Sequence, residues 1–332
     1  MISVRKQLIY KILEDGMSLN HPKIAFTTRL LVLSLVIPFA ACNNNKPPEK
    51  PSISAFASPE DAGAALIAAA KSGDQPAALE IFGPDSKPLL FSGDAVQDKN
   101  VVAAFVARYD AMHRWRNMPD GSQILLVGAD NFPFPIPLKK NPAGKWFFDT
   151  AAGKDEVLSR RIGRNELATI AACNAVEDAQ ADYFATPHDG QPAKQFAMKF
   201  ISDDGKQNGL YWKSPDGKPA SPLGPMAAFA TAEGYKANPN GHTAFHGYYF
   251  HMLDGQTANA PGGPRQYVVD GKKTGGFAFV AYPAEYGNSG IMTFIINQDG
   301  VLLQKDLGKT TTEIATAMTN FDPDSTWKIV AQ

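Results

Sequence analysis

Residues 165–184 read NELATIAACNAVEDAQADYF, and this stretch decides the fold class of the chain. Its apolar side chains recur at helical spacing and share one face: Leu167, Ile170, Cys173, Val176 and Tyr183. A helix with a single apolar face needs another element to cover it. From residue 248 onward, short runs of β-branched and aromatic residues alternate with turn residues, which is typical of strands. The sequence therefore predicts helices packed on an antiparallel sheet, an α+β fold.

The sheet is predicted from five runs of residues with strand character. They are Tyr248–Leu253, Gln266–Val269, Gly276–Tyr282, Ile291–Ile296 and Val301–Lys305. The last two are joined by Asn297-Gln298-Asp299-Gly300, which is typical of a hairpin turn. Thr310-Thr311-Thr312-Glu313 has the pattern of a capping box. A helix is expected to begin there and to turn Ile314, Ala317 and Met318 inward.

A second group of helices and strands precedes residue 160. Helices are predicted after the capping residues Ser58 and Asp74, and over Asp98–His113, where apolar residues recur at helical spacing. Three strands are predicted to follow: Gln123–Val127, Phe134–Leu138 and Lys145–Asp149. These elements make a second α+β unit.

The two units are predicted to be separate domains, 58–160 and 161–332, because the chain is longer than one small core needs. The basic cluster Arg160-Arg161-Ile162-Gly163-Arg164 lies between them. Helical segments are expected on either side of it, at Ala151–Arg160 and Asn165–Phe184.

The start of the chain is interpreted as an export signal. Arg29 precedes the apolar run Leu30–Ala41, which ends in two small residues before Cys42. A membrane-spanning helix needs a longer run, and Pro38 interrupts this one. Residues 1–41 are therefore predicted to be removed, with Met17 as an alternative start. A plain secretory signal and an anchor helix are the other interpretations.

This junction resembles the lipobox of bacterial lipoproteins, with Phe39 where that pattern prefers leucine. The resemblance implies that Cys42 carries a lipid, which would hold the protein on a membrane. Residues 42–57 are polar and rich in proline, so they are predicted to be a flexible tether. Asn43 follows the cysteine in place of the aspartate that retains many such proteins at the inner membrane. The expected location is the outer membrane, facing the periplasm.

Composition narrows the possible partners. The formal net charge is −1, and no basic excess favours nucleic acid. The chain has two cysteines, so lipid on Cys42 would leave Cys173 without a disulfide partner. Cys173 is expected to be a small buried hydrophobe. The expected partners are the membrane, through the lipid, and other envelope proteins.

The histidines give no support for a metal or cofactor site. His242, His246 and His251 form the one cluster, and the first two would bind zinc together if they lay on one helix. Gly241 and Gly247 flank them, which disfavours a helix. No cofactor and no metal are therefore predicted.

A candidate site combines His246 with the loop Tyr282–Gly290. A glutamate near a histidine can provide a general acid and a general base, so Glu285 and His246 are the candidate catalytic residues. The candidate ligand-binding residues are Tyr248, Tyr286, Asn288 and Ser289. The alternative interpretation is a polar turn that satisfies its own backbone.

Two resemblances concern the folds of the units. The order of helices and strands over Ser58–Arg160 resembles the cone-shaped nuclear-transport-factor-like and cystatin-like domains. The second unit resembles the globular head of type II secretion pseudopilins. The residues that carry this resemblance are Ala179-Gln180-Ala181-Asp182-Tyr183 at the helix end and the strands after it. Arg160, Arg161 and Arg164 occupy the place of the apolar pilin stem. Only the head fold is therefore implied.

Taken whole, the chain is identified as a member of a bacterial family of unknown function, number 2950. The motifs that carry this resemblance are Phe56–Glu60, Leu126–Asp130, Phe147–Gly153, Arg161–Leu167, Gly209–Trp212, Ser221–Pro225, His246–Phe250 and Tyr282–Gly290. The family implies a secreted or lipid-anchored protein and no particular activity. The leading hypothesis is a non-catalytic binding or assembly module of the cell envelope. The alternative is a periplasmic hydrolase that uses His246 and Glu285.

Overall fold

A computed structural model describes residues 53–190, 193–214, 220–236 and 243–331. The described residues form one apolar cluster in the N-terminal half, which we call the first core, and two on opposite faces of the sheet in the C-terminal half, which together we call the second core. Helices pack on antiparallel sheets in both, so the predicted α+β class is confirmed. The helices are α1 Pro59–Ser72, α2 Gln75–Phe82, α3 Lys87–Leu90, α4 Ala95–Ala111, α5 Thr150–Ala185, α6 Gly224–Glu233 and α7 Thr311–Ala317. Short 3₁₀ turns lie at Pro84–Ser86 and Gly308–Thr310.

Several predictions concern residues outside the described ranges or at their first limit. The predicted signal 1–41, Cys42 and His242 lie outside the described residues. Residues 54–56, which were placed in the tether, belong to the folded part. Ser54 N donates to Glu80 O at 2.8 Å, and Phe56 exchanges two backbone hydrogen bonds with Trp146.

Capping residues set the starts of the N-terminal helices. Ser58 Oγ accepts from Asp61 N at 3.1 Å, and Asp74 Oδ1 accepts from Ala77 N at 3.1 Å, so both predicted caps are confirmed. The third predicted helix corresponds to α4. It begins at Ala95, three residues before its predicted start, because Asp94 caps it. It also ends earlier than predicted, and His113 begins a strand that the sequence analysis missed.

The first sheet has the order β1-β2-β4-β5, with β3 paired to β2. Its strands are β1 His113–Asn117, β2 Gln123–Val127, β3 Phe132–Pro133, β4 Leu138–Lys140 and β5 Trp146–Phe148. The predicted strand Phe134–Leu138 is wrong, since ladder pairing occurs only on either side of the proline-rich stretch. Pro135 and Pro137, which lie between the two paired strands, have no N–H group to contribute to a ladder. Helices α1, α2 and α4 pack on the inner face of this sheet.

Helix α5 is continuous over 36 residues and contributes to both cores. The predicted break at Arg161–Arg164 is wrong. That segment contains no proline, and the guanidinium of Arg161 is buried against backbone carbonyls instead of lying in a solvated loop. Val157 packs against the first core, and Cys173 lies in the second. The domain boundary at residue 160 stays a prediction, and it falls inside this helix.

The second core is built around a sheet of order β17-β15-β14-β13-β8. Its strands are β8 Tyr248–Leu253, β13 Ala278–Pro283, β14 Met292–Asn297, β15 Leu303–Asp306 and β17 Lys328–Ile329. Phe279, Phe294 and Ile296 pack toward α5, and Val280 and Ile295 pack toward the side of α7. Cys173 is fully buried and free, as predicted, and burial raises the pKa of its thiol.

Short strand pairs complete this half of the chain. They are β6 Lys199–Ile201 with β7 Gly209–Tyr211, β9 Gly255–Gln256 with β10 Arg265–Gln266 and β16 Asn320–Phe321, and β11 Val268–Val269 with β12 Lys272–Lys273. Within the described residues, the helices are all too short or too polar to cross a membrane.

The capping box predicted at Thr310 is wrong. The side chain of Thr310 makes no capping hydrogen bond, because a 3₁₀ turn precedes α7 and changes its rotation. Thr311 and Ala315 are buried instead, while Ile314 is 41% exposed and Ala317 is also exposed. The predicted inward face is therefore wrong for Ile314 and Ala317, whereas Met318 packs against the core as predicted.

Candidate functional site

Most of the predicted site residues lie where the two cores meet. We call this region the polar junction and define it by the side chains that meet there: Asp94, Gln97, Arg161, Arg164, Asn165, Glu233, Tyr235, His246, Asn288 and Ser289. They come from the start of α4, the middle of α5, the end of α6, the turn before β8 and the loop between β13 and β14. The junction is thus assembled from both halves of the chain.

His246 is held in a strained turn at this junction. Its backbone has a φ of 48°, which non-glycine residues rarely adopt. Its Nδ1 lies 3.2 Å from Gln97 Nε2, and its Nε2 lies 3.0 Å from Glu233 Oε2. The pair with Glu233 is within ion-pair distance but is not aligned as a hydrogen bond. The carboxylate that faces His246 is therefore Glu233.

Asn165 connects the two halves at the centre of the junction. It is fully buried. Its Oδ1 accepts from Gln97 Nε2 at 2.9 Å, and its Nδ2 donates to Ser289 O at 2.8 Å. A Cβ atom at Gly247 would lie only 2.6 Å from Asn165 Nδ2, so the turn beside His246 needs a residue without a side chain.

Glu285 lies in the same region but does not contact His246. It is exposed, and its Oε2 accepts from Asn288 Nδ2 at 2.8 Å. Ser289 Oγ accepts from Glu285 N at 2.9 Å, and Asn288 Oδ1 accepts from Arg161 Nη1. These bonds are those of a polar turn that satisfies its own backbone. Among the described residues, His246 and Glu285 are linked through Gln97, Asn165 and the Ser289 turn, and the neighbouring Ala284 N donates to Gly247 O at 2.9 Å.

The two candidate tyrosines face other parts of the structure. Tyr248 is fully buried in the second core, where its hydroxyl donates to Met292 O at 2.9 Å and burial raises its pKa. Tyr286 Oη lies 3.3 Å from Asp306 Oδ2. His251 Nε2 lies 3.0 Å from Met318 O. Within the described ranges, no three His, Cys, Asp or Glu side chains are grouped as metal ligands would be.

Two arginines of α5 bring positive charge into the junction. Arg161 is 6% exposed, and its guanidinium donates to Pro88 O, Leu89 O and Asn288 Oδ1. Burial lowers the pKa of both Arg161 and Arg164. The charge of Arg161 lowers the pKa of Arg164 further, and Asp98 opposes this effect.

Asp94 ties the turn at His246 to α4. One carboxylate oxygen accepts from Gln97 N at 3.0 Å, and the other accepts from Tyr235 Oη at 2.7 Å and from Gly247 N at 3.2 Å. Burial raises the pKa of Tyr235, and the hydrogen bond to Asp94 adds to this shift. Asp94 therefore holds three elements in one arrangement.

Four buried polar atoms of the junction have no hydrogen-bond partner. They are Gln97 Oε1, Arg164 Nε, Glu233 Oε2 and His246 Nε2. Buried polar atoms in native proteins are nearly always paired with protein, water or ligand. The junction is therefore able to bind a further polar group.

The comparison with protein families gives one match. A family described as "Protein of unknown function (DUF2950)" matches residues 54–330. The chain belongs to the DUF2950 family. The curated proteins and the solved structures contain no match. The cone-like and pseudopilin-head resemblances therefore stay predictions.

In this DUF2950 protein, sequence reasoning found His246 and the loop at 285–289 but missed their partners. Asp94 and Gln97 precede the predicted helix Asp98–His113 and were not predicted as site residues, and Arg164 was predicted only as part of the basic cluster between the two units. One signal was available: Arg161 and Asn165 lie four residues apart in α5, so these polar side chains share one face of the helix.

The buried tyrosines of the DUF2950 chain predict a loss of stability in alkali. Burial raises the pKa of Tyr183 and of Tyr267 to about 12 each, whereas tyrosines of an unfolded chain ionise near pH ~10. Between these values the unfolded chain has lost protons that the folded protein keeps, so the free energy of unfolding falls as pH rises. Urea unfolding at pH 8, 10 and 11 should show this fall, and Tyr267→Phe should make it shallower. Equal midpoints at pH 8 and 11 would contradict the prediction.

Proposed function

We propose that the protein is an exported lipoprotein of the cell envelope, anchored through Cys42, that acts as a non-catalytic binding module. The observation that carries the binding role is the polar junction, where side chains from both halves converge and four buried polar atoms lack partners. Glu233 Oε2 and His246 Nε2 lie 3.0 Å apart without aligning as a hydrogen bond, and Gln97 Oε1 and Arg164 Nε have no hydrogen-bond partner among the described residues. The junction is therefore a ready place for a polar ligand.

The contacts of the candidate catalytic residues support a non-catalytic role. A hydrolase that uses His246 and Glu285 needs these two side chains beside one substrate. In the described contacts, His246 faces Gln97 and Glu233, and Glu285 bonds its own turn. His246 thus belongs to the polar junction, whereas the Glu285 side chain belongs to the turn beside it.

The anchor is supported by the sequence around Cys42. The signal-like run ends at this cysteine, and residues 42–57 are polar and rich in proline. Placement at the outer membrane, facing the periplasm, follows from Asn43 after the cysteine.

The test of the anchor uses the full chain in a bacterium fed with a labelled fatty acid. We expect the label on the wild-type protein and its recovery with membranes. Cys42→Ala should lose both, and Cys173→Ala, the matched control, should lose neither. Label that persists after Cys42→Ala, or unlabelled wild-type protein, would overturn the anchor.

The non-catalytic role is tested with a panel of ester, amide and glycoside substrates. We expect no turnover that depends on either candidate residue. Turnover by the wild type that His246→Ala and Glu285→Ala both abolish would establish the hydrolase instead.

A further inference from the structure

We propose that the polar junction binds a small zwitterion, with the ligand's carboxylate at Arg164 and its ammonium group at Glu233. An α-amino acid and a short peptide with both termini free have this chemistry. The inference rests on the proposed binding function and adds the class of ligand.

The unpaired atoms define what the ligand must offer. Arg164 Nε is a charged donor, while Glu233 Oε2 and Gln97 Oε1 are acceptors. His246 Nε2 lies beside the carboxylate of Glu233, 3.0 Å away but out of line. A ligand with one charge would satisfy only one end of this set. A ligand with both charges satisfies the donor and the acceptors together.

The charge at the Arg164 end is left without a close counterion. Among the described residues, neither Arg164 nor Arg161 forms an ion pair within 4.0 Å, and the two like charges disfavour each other. Asp98 is the compensating carboxylate, and it already accepts from Ser92 N at 2.9 Å and from Ser92 Oγ at 2.7 Å. A ligand carboxylate would give the Arg164 guanidinium the charged partner that the chain does not supply.

The two ends of the set lie around one tyrosine. Tyr235 is within electrostatic range of both Arg164 and Glu233. Its hydroxyl donates to Asp94 Oδ2 at 2.7 Å, so this proton is not available to a ligand.

The site has a buried floor and a partly open rim. Gln97 and Asn165 are buried and hydrogen-bonded to each other, so they form a rigid floor. The side chains of His246 and Glu233 are 12% and 25% exposed, and Arg164 is half-buried. The four unpaired atoms themselves are enclosed, so a ligand reaches them when the partly exposed side chains of His246, Glu233 and Arg164 move aside.

The test is calorimetric titration of the wild-type protein with four probes. L-alanine and L-alanyl-L-alanine carry both charges, while acetate and ethylamine carry one each. We expect at least one zwitterion to bind at least tenfold more tightly than both single-charge probes. Because this comparison uses only the wild type, it does not depend on whether a variant folds. Acetate or ethylamine binding as tightly as the zwitterions would overturn the proposal, and so would no binding of any probe.

Variants then place the ligand. Arg164→Gln and Glu233→Gln should each weaken binding of the zwitterion by about tenfold or more, since each removes a charge-assisted hydrogen bond to the ligand. Arg160→Gln and Glu285→Gln remove the same charges outside the four-atom set and should leave the affinity unchanged. Circular dichroism confirms that each variant is folded. Unchanged affinity in folded Arg164→Gln and Glu233→Gln would overturn the placement.

A crystal grown with saturating L-alanyl-L-alanine gives an independent result. Water alone at the four atoms would overturn the inference. If no zwitterion binds but Cys42 still carries the acyl label, the zwitterion proposal is wrong and the lipoprotein anchor is unaffected. The two failures are therefore distinguishable.

Discussion

Asn165→Ala should lower the free energy of unfolding by about 2–4 kcal/mol. The change removes the acceptor of Gln97 Nε2 and the donor to Ser289 O, both inside the protein. Each buried polar group left without a partner costs about 1–3 kcal/mol. Alanine is the better helix former by about half a kcal/mol, which offsets only part of this loss. Urea unfolding followed by circular dichroism measures the difference.

Asn100→Ala is the matched control for this prediction. Asn100 also lies on a helix, but it is exposed where its Nδ2 donates to Glu233 O at 3.0 Å. Its replacement should change stability by no more than about 0.5 kcal/mol. The double variant Gln97→Ala with Asn165→Ala should cost less than the two single changes together, because the singles break one shared bond. Equal midpoints for wild type and Asn165→Ala would show that Asn165 does not join the halves.

Gly153→Ala and Gly163→Ala should change stability in opposite directions, although both glycines lie in α5. A Cβ atom at Gly153 would lie 2.7 Å from Ile136 Cα and 2.8 Å from Pro135 O, so the helix and the backbone beneath it would have to separate. Overpacking of this kind costs about 1–3 kcal/mol. At Gly163 a Cβ atom meets nothing within 4 Å. Alanine there should stabilise the protein by up to about 1 kcal/mol.

The measurement for this pair is again the urea midpoint, with the same m-value expected for all three proteins. The two variants have the same glycine-to-alanine change in the same helix, so the effect of helix propensity cancels when they are compared. A stabilised Gly153→Ala variant would mean that α5 does not press on residues 135–136.

Sequence patterns predicted best the features that depend on a few neighbouring residues. The caps at Ser58 and Asp74 each need only a side chain and a backbone N–H three residues away. The strand Tyr248–Leu253 follows from its own composition. Such features require no knowledge of the rest of the fold.

Features that depend on distant contacts could not be predicted. A cluster of arginines usually lies in solvent, and the continuity of α5 depends on carbonyl groups of Pro88 and Leu89 that accept from Arg161. Those acceptors lie more than seventy positions away in the chain. The periodicity of a single segment contains no information about them.

The candidate site shows the same division. His246 was recognised from its glycine-flanked turn, but its proposed pairing with Glu285 is not among the described contacts. The facing carboxylate is Glu233 at the end of α6. This pairing depends on how α6 packs across α4, and nothing near His246 in the sequence indicates it.

The continuity of α5 also limits how the chain can change in length. One residue inserted between Val157 and Asn165 would turn one half against the other by about 100° and shift it by about 1.5 Å. Arg161 and Asn165 would then lose their acceptors in one of the halves. Even a seven-residue insertion, which nearly restores the rotation, would displace the halves by about 10 Å. Insertions and deletions in DUF2950 chains should therefore fall in surface loops and leave this part of α5 at constant length.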